Sequence, residues 1–153
     1  MNLDPVRSIA ALSSRWRNRF WPSKESSPEH LRLGERGEKI ASRFLRSRGY
    51  KILYRNFKAR GGGEIDLVCR DDDSLVFVEV KTRRTADFGR PMDAIGKEKQ
   101  RRISRGGLAW LRLLDNPDVA FRFDVVEVLL PDDNEARCEL IQDAFELSQP
   151  YIY

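Results

Sequence analysis

Asp66, Glu79 and Lys81 interrupt two otherwise strongly apolar stretches, Ile65-Asp66-Leu67-Val68-Cys69 and Leu75-Val76-Phe77-Val78-Glu79-Val80-Lys81. An unpaired carboxylate or ammonium removed from water costs several kcal/mol, in order of magnitude. Such groups must therefore neutralise one another or hold a metal ion. Magnesium takes oxygen ligands, commonly one or two carboxylates with water and substrate phosphate completing the shell. A metal so held activates water and offsets charge on phosphoryl oxygens. A lysine beside it can orient or deprotonate the attacking water, or stabilise the developing charge. The chemistry within reach of these residues is hydrolysis of a phosphodiester.

The elements that must position them are two strands joined by the acidic turn Asp71-Asp72-Asp73. A strand alternates its side chains. The first strand is thus expected to send Glu64, Asp66 and Val68 to one face and Ile65, Leu67 and Cys69 to the other. On the second, Leu75, Phe77, Glu79 and Lys81 share a face opposite Val76, Val78, Val80 and Thr82. The backbone carbonyl of Val80 is then available to the same ion. Upstream, residues 33–48 read as a helix with Ile40, Ala41, Phe44 and Leu45 as its apolar stripe and Gly49 as its stop. Glu38 precedes Leu45 by seven positions, about 20° around the axis, and so belongs to the inward side. From a helix packed on that face it can reach the carboxylates; taken alone, it could equally cap the helix or pair with an arginine.

The remaining chain supplies a scaffold. Residues 51–56 read as a strand, followed by Gly61-Gly62-Gly63. These glycines are no phosphate-binding loop, since no Gly-Lys-Ser/Thr follows. After an irregular segment at 85–96, a second helix is expected over 97–114, with strands at 121–130 and 138–145. Gly106 and Gly107 weaken the expectation for the middle of that helix. The order of elements predicts an α/β fold, a mixed sheet flanked by helices. Three regions are expected: a basic N-terminal extension over residues 1–30, with a short amphipathic helix near 6–20, a core domain over 31–130, and an acidic segment over 131–153 carrying an edge strand.

Composition narrows the function. The chain has 153 residues, 41% hydrophobic and 34% charged, with a net charge of +4. No apolar run approaches the roughly 20 residues of a membrane helix, and the first residues lack the apolar core of a secretory signal. Two cysteines, Cys69 and Cys138, give neither metal spacing nor a disulfide framework, which suits the cytoplasm. With His30 as the single histidine, histidine triads and histidine-based zinc sites are excluded. Seven basic residues and no acid lie between positions 40 and 60, and further clusters hold Arg83, Arg84, Lys97, Lys99, Arg101 and Arg102. These six are expected to touch the phosphate backbone of DNA. A solvated basic surface is the plainer reading. Gln100 among them reads as an ordinary exposed helix residue. No base-reading module is recognisable.

The run Asp66, twelve residues, Glu79-Val80-Lys81 resembles the core signature of the PD-(D/E)xK nuclease superfamily, with Ile65 where proline is frequent. The helix bearing Glu38 resembles the Holliday-junction-resolvase branch. More closely, Gly34-Glu35-Arg36-Gly37-Glu38, Gly49-Tyr50, Arg55-Asn56, Gly63-Glu64-Ile65-Asp66-Leu67 and Phe77-Val78-Glu79-Val80-Lys81-Thr82-Arg83 resemble the YraN-like bacterial family. The resemblance implies a restriction-endonuclease-like fold. It implies Asp66 and Glu79 as ligands of Mg2+ or Mn2+, Glu38 as a third acid, and Lys81 as the catalytic lysine. It implies DNA as partner, and a homodimer if two strands are to be cut symmetrically. Glu64, on the face expected for Asp66, is given no ligand role. The alternative is a non-catalytic nucleic-acid-binding accessory protein that keeps the fold.

Overall fold

The computed structural model describes residues 29–86, 95–132 and 135–148. The amphipathic helix expected near 6–20 and most of the irregular segment lie outside them. Seven elements follow in order: α1 (Glu29–Ser47), β1 (Lys51–Lys58), β2 (Glu64–Asp71), β3 (Ser74–Arg83), α2 (Lys97–Leu113), β4 (Phe121–Leu129) and β5 (Arg137–Phe145). The first helix starts four residues before the expected position. Glu29 and His30, placed in the extension by sequence, begin it, and Glu29 is ion-paired to Arg84. It ends where Gly49 adopts φ 92°. There the Tyr50 N–H donates to the Leu45 carbonyl and the Gly49 N–H to the Arg46 carbonyl, the pattern of a glycine C-terminal stop.

The five strands form one sheet in chain order. β1, β2 and β3 make an antiparallel meander, β4 runs parallel to β3, and β5 returns antiparallel at the edge. The strand expected in the acidic segment thus belongs to the same sheet as the core. A parallel pair needs a crossover, and α2 supplies it. Each face of the sheet buries its own core. On the α1 side Ala41 and Leu45 pack on Leu67, Val76, Val78 and Val126. On the α2 side Ile103, Leu108 and Leu111 pack on Phe77 and Phe123. Side chains as fully buried as Leu45, Ile103 and Phe77 each contribute about 1.5–3 kcal/mol.

Gly106 and Gly107, which count against a helix by propensity, are where α2 meets the sheet. A Cβ on Gly106 would lie 2.8 Å from Ile65 Cγ1, and one on Gly107 3.0 Å from the Phe77 ring. The packing distance outweighs the propensity cost of about 1 kcal/mol per glycine. Gly63, at the start of β2, meets the same helix. Its Cβ would overlap the backbone nitrogen of Gly106 and lie 2.7 Å from the Arg105 carbonyl carbon. Backbone cannot turn aside as a side chain can. Gly63→Ala is therefore expected to cost about 2–3 kcal/mol and lower the melting temperature by roughly 5–10 °C. A thermal melt matching wild type would show that the helix seat is loose.

Candidate active site

The site is built where two strands part. The β2–β3 ladder runs from Asp71↔Ser74 to Leu67↔Val78 and stops. One step further along the hydrogen-bonded register, Ile65 would meet Val80. Instead the Val80 N–H donates to Asp66 Oδ2 at 2.8 Å. In a strand the N–H and C=O of one residue point to the same side, so the Val80 carbonyl also faces the gap. β1 stays with β2 beyond the split, pairing Phe57 with Ile65 and Lys58 with Glu64. Across from Asp66 stands Asn56, whose φ is 53°.

At the same level the expected alternation of β2 breaks. Ile65 packs with Val68 on the α2 side, whereas Leu67 and Cys69 face α1; Ile65 does not share their face. Asp66 sits at the reversal, in the gap itself. On β3 the alternation is regular: Val76, Val78 and Val80 face α1, and Leu75 and Phe77 face α2. Glu79 has the parity of Phe77, so it points towards α2. Glu38 comes from α1, on the opposite side of the sheet. The acids therefore converge on the gap from two faces, not from one.

Glu79 is 6% exposed. Burial first, then the charge of Asp66, pushes its carboxyl up to about 8. Asp66 is also raised, by burial, against the opposing pull of the Val80 N–H. Glu38 is raised by burial and then by Asp66, while Asn56 Nδ2 donates to its Oε2 at 3.0 Å. The cation at the cluster is Lys99 of α2. Its Nζ lies 2.7 Å from Glu64 Oε1 and 3.2 Å from Glu79 Oε1. Arg102 holds the other Glu64 oxygen at 3.2 Å, and Glu64 is lowered chiefly by its hydrogen bond from Lys99. Glu79 Oε2 is buried with no hydrogen-bond partner.

Lys81 has the parity of Glu79 but is exposed, and among the described residues it forms no ion pair with the acids. Of the six residues expected to meet DNA, four are engaged in ion pairs. Arg83 pairs with Glu127 at 3.0 Å, Arg84 with Glu29 and Asp132, Lys99 with Glu64 and Glu79, and Arg102 with Glu64. Lys97 and Arg101 are exposed and carry no ion pair among the described residues. The inward placement of Lys99 had a signal in the sequence. It precedes the buried residues Ile103, Gly106 and Trp110 by four, seven and eleven positions, the spacing of one helix face.

Among the described residues, no three His, Cys, Asp or Glu side chains form a ready-made metal cage. What the gap offers is smaller: Asp66, Glu79 with its unpartnered oxygen, and the Val80 carbonyl. That set fits a divalent ion that keeps several waters. A groove of about 420 Å³ at the other end of the sheet, lined by Tyr50, Asp71 and Gln142 among others, makes a contrast. There Tyr50 Oη accepts from Arg122 Nη2 at 2.8 Å and Gln142 Nε2 at 2.7 Å, and donates to Asp124 at 3.2 Å. None of the buried side-chain atoms lacking a partner belongs to that network.

A carboxyl held above its unfolded value stabilises the fold while protonated. The contribution of Glu79 is complete below its ordinary value of 4.5 and is lost as pH rises through about 8. Metal-free protein in chelator is expected to melt progressively lower from about pH 5 to 9, with the slope flattened in Glu79→Gln. Identical pH profiles for the two proteins would rule out a strained Glu79.

A five-stranded mixed sheet between two helices, with two carboxylates where adjacent strands part, defines a restriction-endonuclease-like α/β protein, in keeping with the PD-(D/E)xK superfamily. The model of "Uncharacterised protein family UPF0102" matches residues 37–128. A UPF0102 protein of Geobacter sulfurreducens, GSU0650, is 47% identical over 127 residues, covering 83% of this chain and 98% of the relative. One from Pelobacter propionicus is 46% identical over 129 residues, 83% and 91% of the two chains. One from Symbiobacterium thermophilum, STH1475, is 48% identical over 114 residues, 74% and 96%. The chain belongs to the UPF0102 family, the YraN-like family of the sequence resemblance.

Proposed function

We propose that this protein is a metal-dependent endonuclease that hydrolyses DNA phosphodiesters. The observation that carries the reading is the Asp66–Glu79 pair at the end of the β2–β3 ladder, with one buried carboxylate oxygen left unpartnered. Carboxylates that only stabilise a fold are paired, as Asp124 is. Here burial raises both acids, and the charge of Asp66 raises Glu79 further, at the mouth of a gap, an arrangement that favours function over structure.

Asp66, Glu79 and the Val80 carbonyl would hold Mg2+ or Mn2+, with Glu38 adding negative charge from the α1 side. When bound, the ion supplies an activated water and neutralises charge on the phosphoryl oxygens. Asp66 and Glu79 fix its position, and the Val80 N–H orients the Asp66 carboxylate. Lys97 and Arg101, exposed at the start of α2, and the exposed Lys81 track the phosphate backbone. Their contacts carry no base sequence, so branched or damaged DNA, recognised by shape, is the substrate to try first. A two-fold dimer would present two such sites to two strands. The cytoplasm is the fitting compartment; no described helix is long and apolar enough to cross a membrane.

The position of Lys81, outside the acid cluster, favours a second reading, a nucleic-acid-binding accessory protein that does not cut. Calorimetric titration of Mn2+ into wild type and Asp66→Ala separates the two. The nuclease reading requires uptake that Asp66→Ala loses, with Mn2+-dependent cleavage on at least one of linear, nicked, flapped and four-way DNA. Salt-dependent DNA binding that survives the substitution, without metal uptake, supports the accessory reading.

A further inference from the structure

We propose that Lys99 is the working ammonium of the candidate nuclease site, with two stations. Without metal it bridges Glu79 and Glu64. When a divalent cation occupies the carboxylate pair, it is displaced onto Glu64, at the mouth, where it meets a non-bridging oxygen of the scissile phosphate. The inference rests on the nuclease reading and adds to it a residue that the Glu-x-Lys run does not contain.

Three observations converge on Lys99. The first is position. Its Nζ is 3.2 Å from Glu79 Oε1 and 2.7 Å from Glu64 Oε1, so it already spans a metal-candidate acid and a more exposed neighbour. The second is the imbalance at Glu79. One oxygen is held by Lys99 and the other, buried, has no partner. A single ammonium thus leaves the carboxylate half satisfied. A divalent cation reaching both acids would satisfy it and repel the ammonium. The third is that the second station is prepared. Glu64 is held by Arg102 at 3.2 Å as well as by Lys99, so it stays ionised and in place when Lys99 leaves Glu79. The side chain need only turn about its own stem, since Lys99 is anchored on a helix whose next buried residues, Ile103 and Gly106, are packed on the sheet.

The chemistry assigns distinct duties. Lys99 holds Glu79 in place beside Asp66 until metal arrives, which keeps the pair assembled. Displaced to the mouth, it stabilises negative charge that grows on the phosphate during attack, as a positioned donor does. No proton need leave it, and no covalent bond to it forms.

The test is Mn2+ titration by calorimetry into wild type, Lys99→Gln and Arg102→Gln, with cleavage measured on the same preparations. Lys99→Gln is expected to bind Mn2+ about tenfold tighter, the scale of one charge-assisted hydrogen bond that no longer competes. It is expected to cleave about 10²–10³-fold more slowly, the scale of one lost transition-state donor. Tighter metal with slower cleavage is a split that a merely structural role does not produce. Arg102→Gln removes the same charge one turn away but touches only Glu64; its Mn2+ affinity should change by less than about threefold, as for a partly exposed charge. Unchanged or weaker Mn2+ binding by Lys99→Gln overturns the inference, as does an equal gain in Arg102→Gln, which would mark a through-space effect. If Lys99→Gln does not fold, Glu64→Gln replaces it. Removing the second station should weaken Mn2+ binding, and unchanged affinity overturns the proposal. Mn2+ uptake by wild type that Asp66→Ala abolishes, with Lys99→Gln unaffected, sinks the role of Lys99 alone. No uptake by wild type sinks the nuclease reading and this inference with it.

Discussion

Asp66→Ala is expected to abolish Mn2+-dependent cleavage, by at least about a thousandfold, the upper range for one preorganised electrostatic group, and to remove the heat of Mn2+ binding. The fold should survive. Two effects on stability oppose each other. The Val80 N–H loses its acceptor, a cost of about 1–3 kcal/mol if the group stays dry. In return Glu79 loses the like charge that, after burial, contributes most to its raised proton affinity, and Lys99 is left to neutralise it alone. The melting temperature is therefore expected within about 5 °C of wild type. Asp66→Asn sharpens the test, because its amide oxygen still accepts from Val80 while the charge is gone. Cleavage retained by a folded Asp66→Asn protein would remove this carboxylate from the chemistry.

Asp124→Ala should do the reverse: a large loss of stability and little change in Mn2+ affinity. Asp124 is fully buried. Its Oδ1 accepts from Arg122 Nε at 2.9 Å and from the Asp143 N–H at 2.9 Å, and its Oδ2 from Tyr50 Oη at 3.2 Å. Truncation strands a partly buried guanidinium, leaving it Asp71 at 2.8 Å. Breaking a buried ion pair from one side costs about 3–5 kcal/mol, or roughly 10 °C in a domain of this size. Denaturant or thermal unfolding measures it. A loss under about 1 kcal/mol would mean that water replaces the carboxylate readily. The site itself is untouched, because this network gathers at the Asp71 end of β2 and the acid pair at the other.

Asp66 and Asp124 make an instructive pair. Each accepts a backbone N–H from a neighbouring strand where a ladder is interrupted, Val80 in one case and Asp143, with φ 50°, in the other. One has an arginine and a tyrosine assigned to it; the other faces a second acid. Both are charges inside apolar strands, yet only Asp66 is singled out by its sequence context, and nothing there tells which of the two is satisfied. That depends on Tyr50 and Arg122 reaching Asp124 from distant positions, and no local period reports such a meeting.

The strands, both helices and the regular alternation of β3 are legible because apolar residues recur at periods of two and about 3.6. Glu38, Asp66, Glu79 and Lys81 can be singled out for the same reason, as polar residues breaking that pattern. Two kinds of feature escape it. The faces of β2 reverse at Asp66, opposite the left-handed Asn56 of β1, and a strict two-residue period cannot anticipate a reversal. Lys99 reads as one cation in a basic cluster, yet the glycines of α2 draw that helix close enough for its ammonium to enter the acid cluster. Helical spacing does place it inward, but the closeness depends on Gly63 and Gly106 touching across the interface.

The crossover from β3 to β4 sets an order of assembly. Asp66 and Glu79 lie on strands joined by a tight turn, so local pairing makes them neighbours early. Lys99 arrives with the helix that bridges Ser74–Arg83 to Phe121–Leu129, twenty positions after Glu79 against the thirteen between the acids, so its closure is the longer of the two. On that ground the two acids are expected to meet before the ammonium that holds them together joins them.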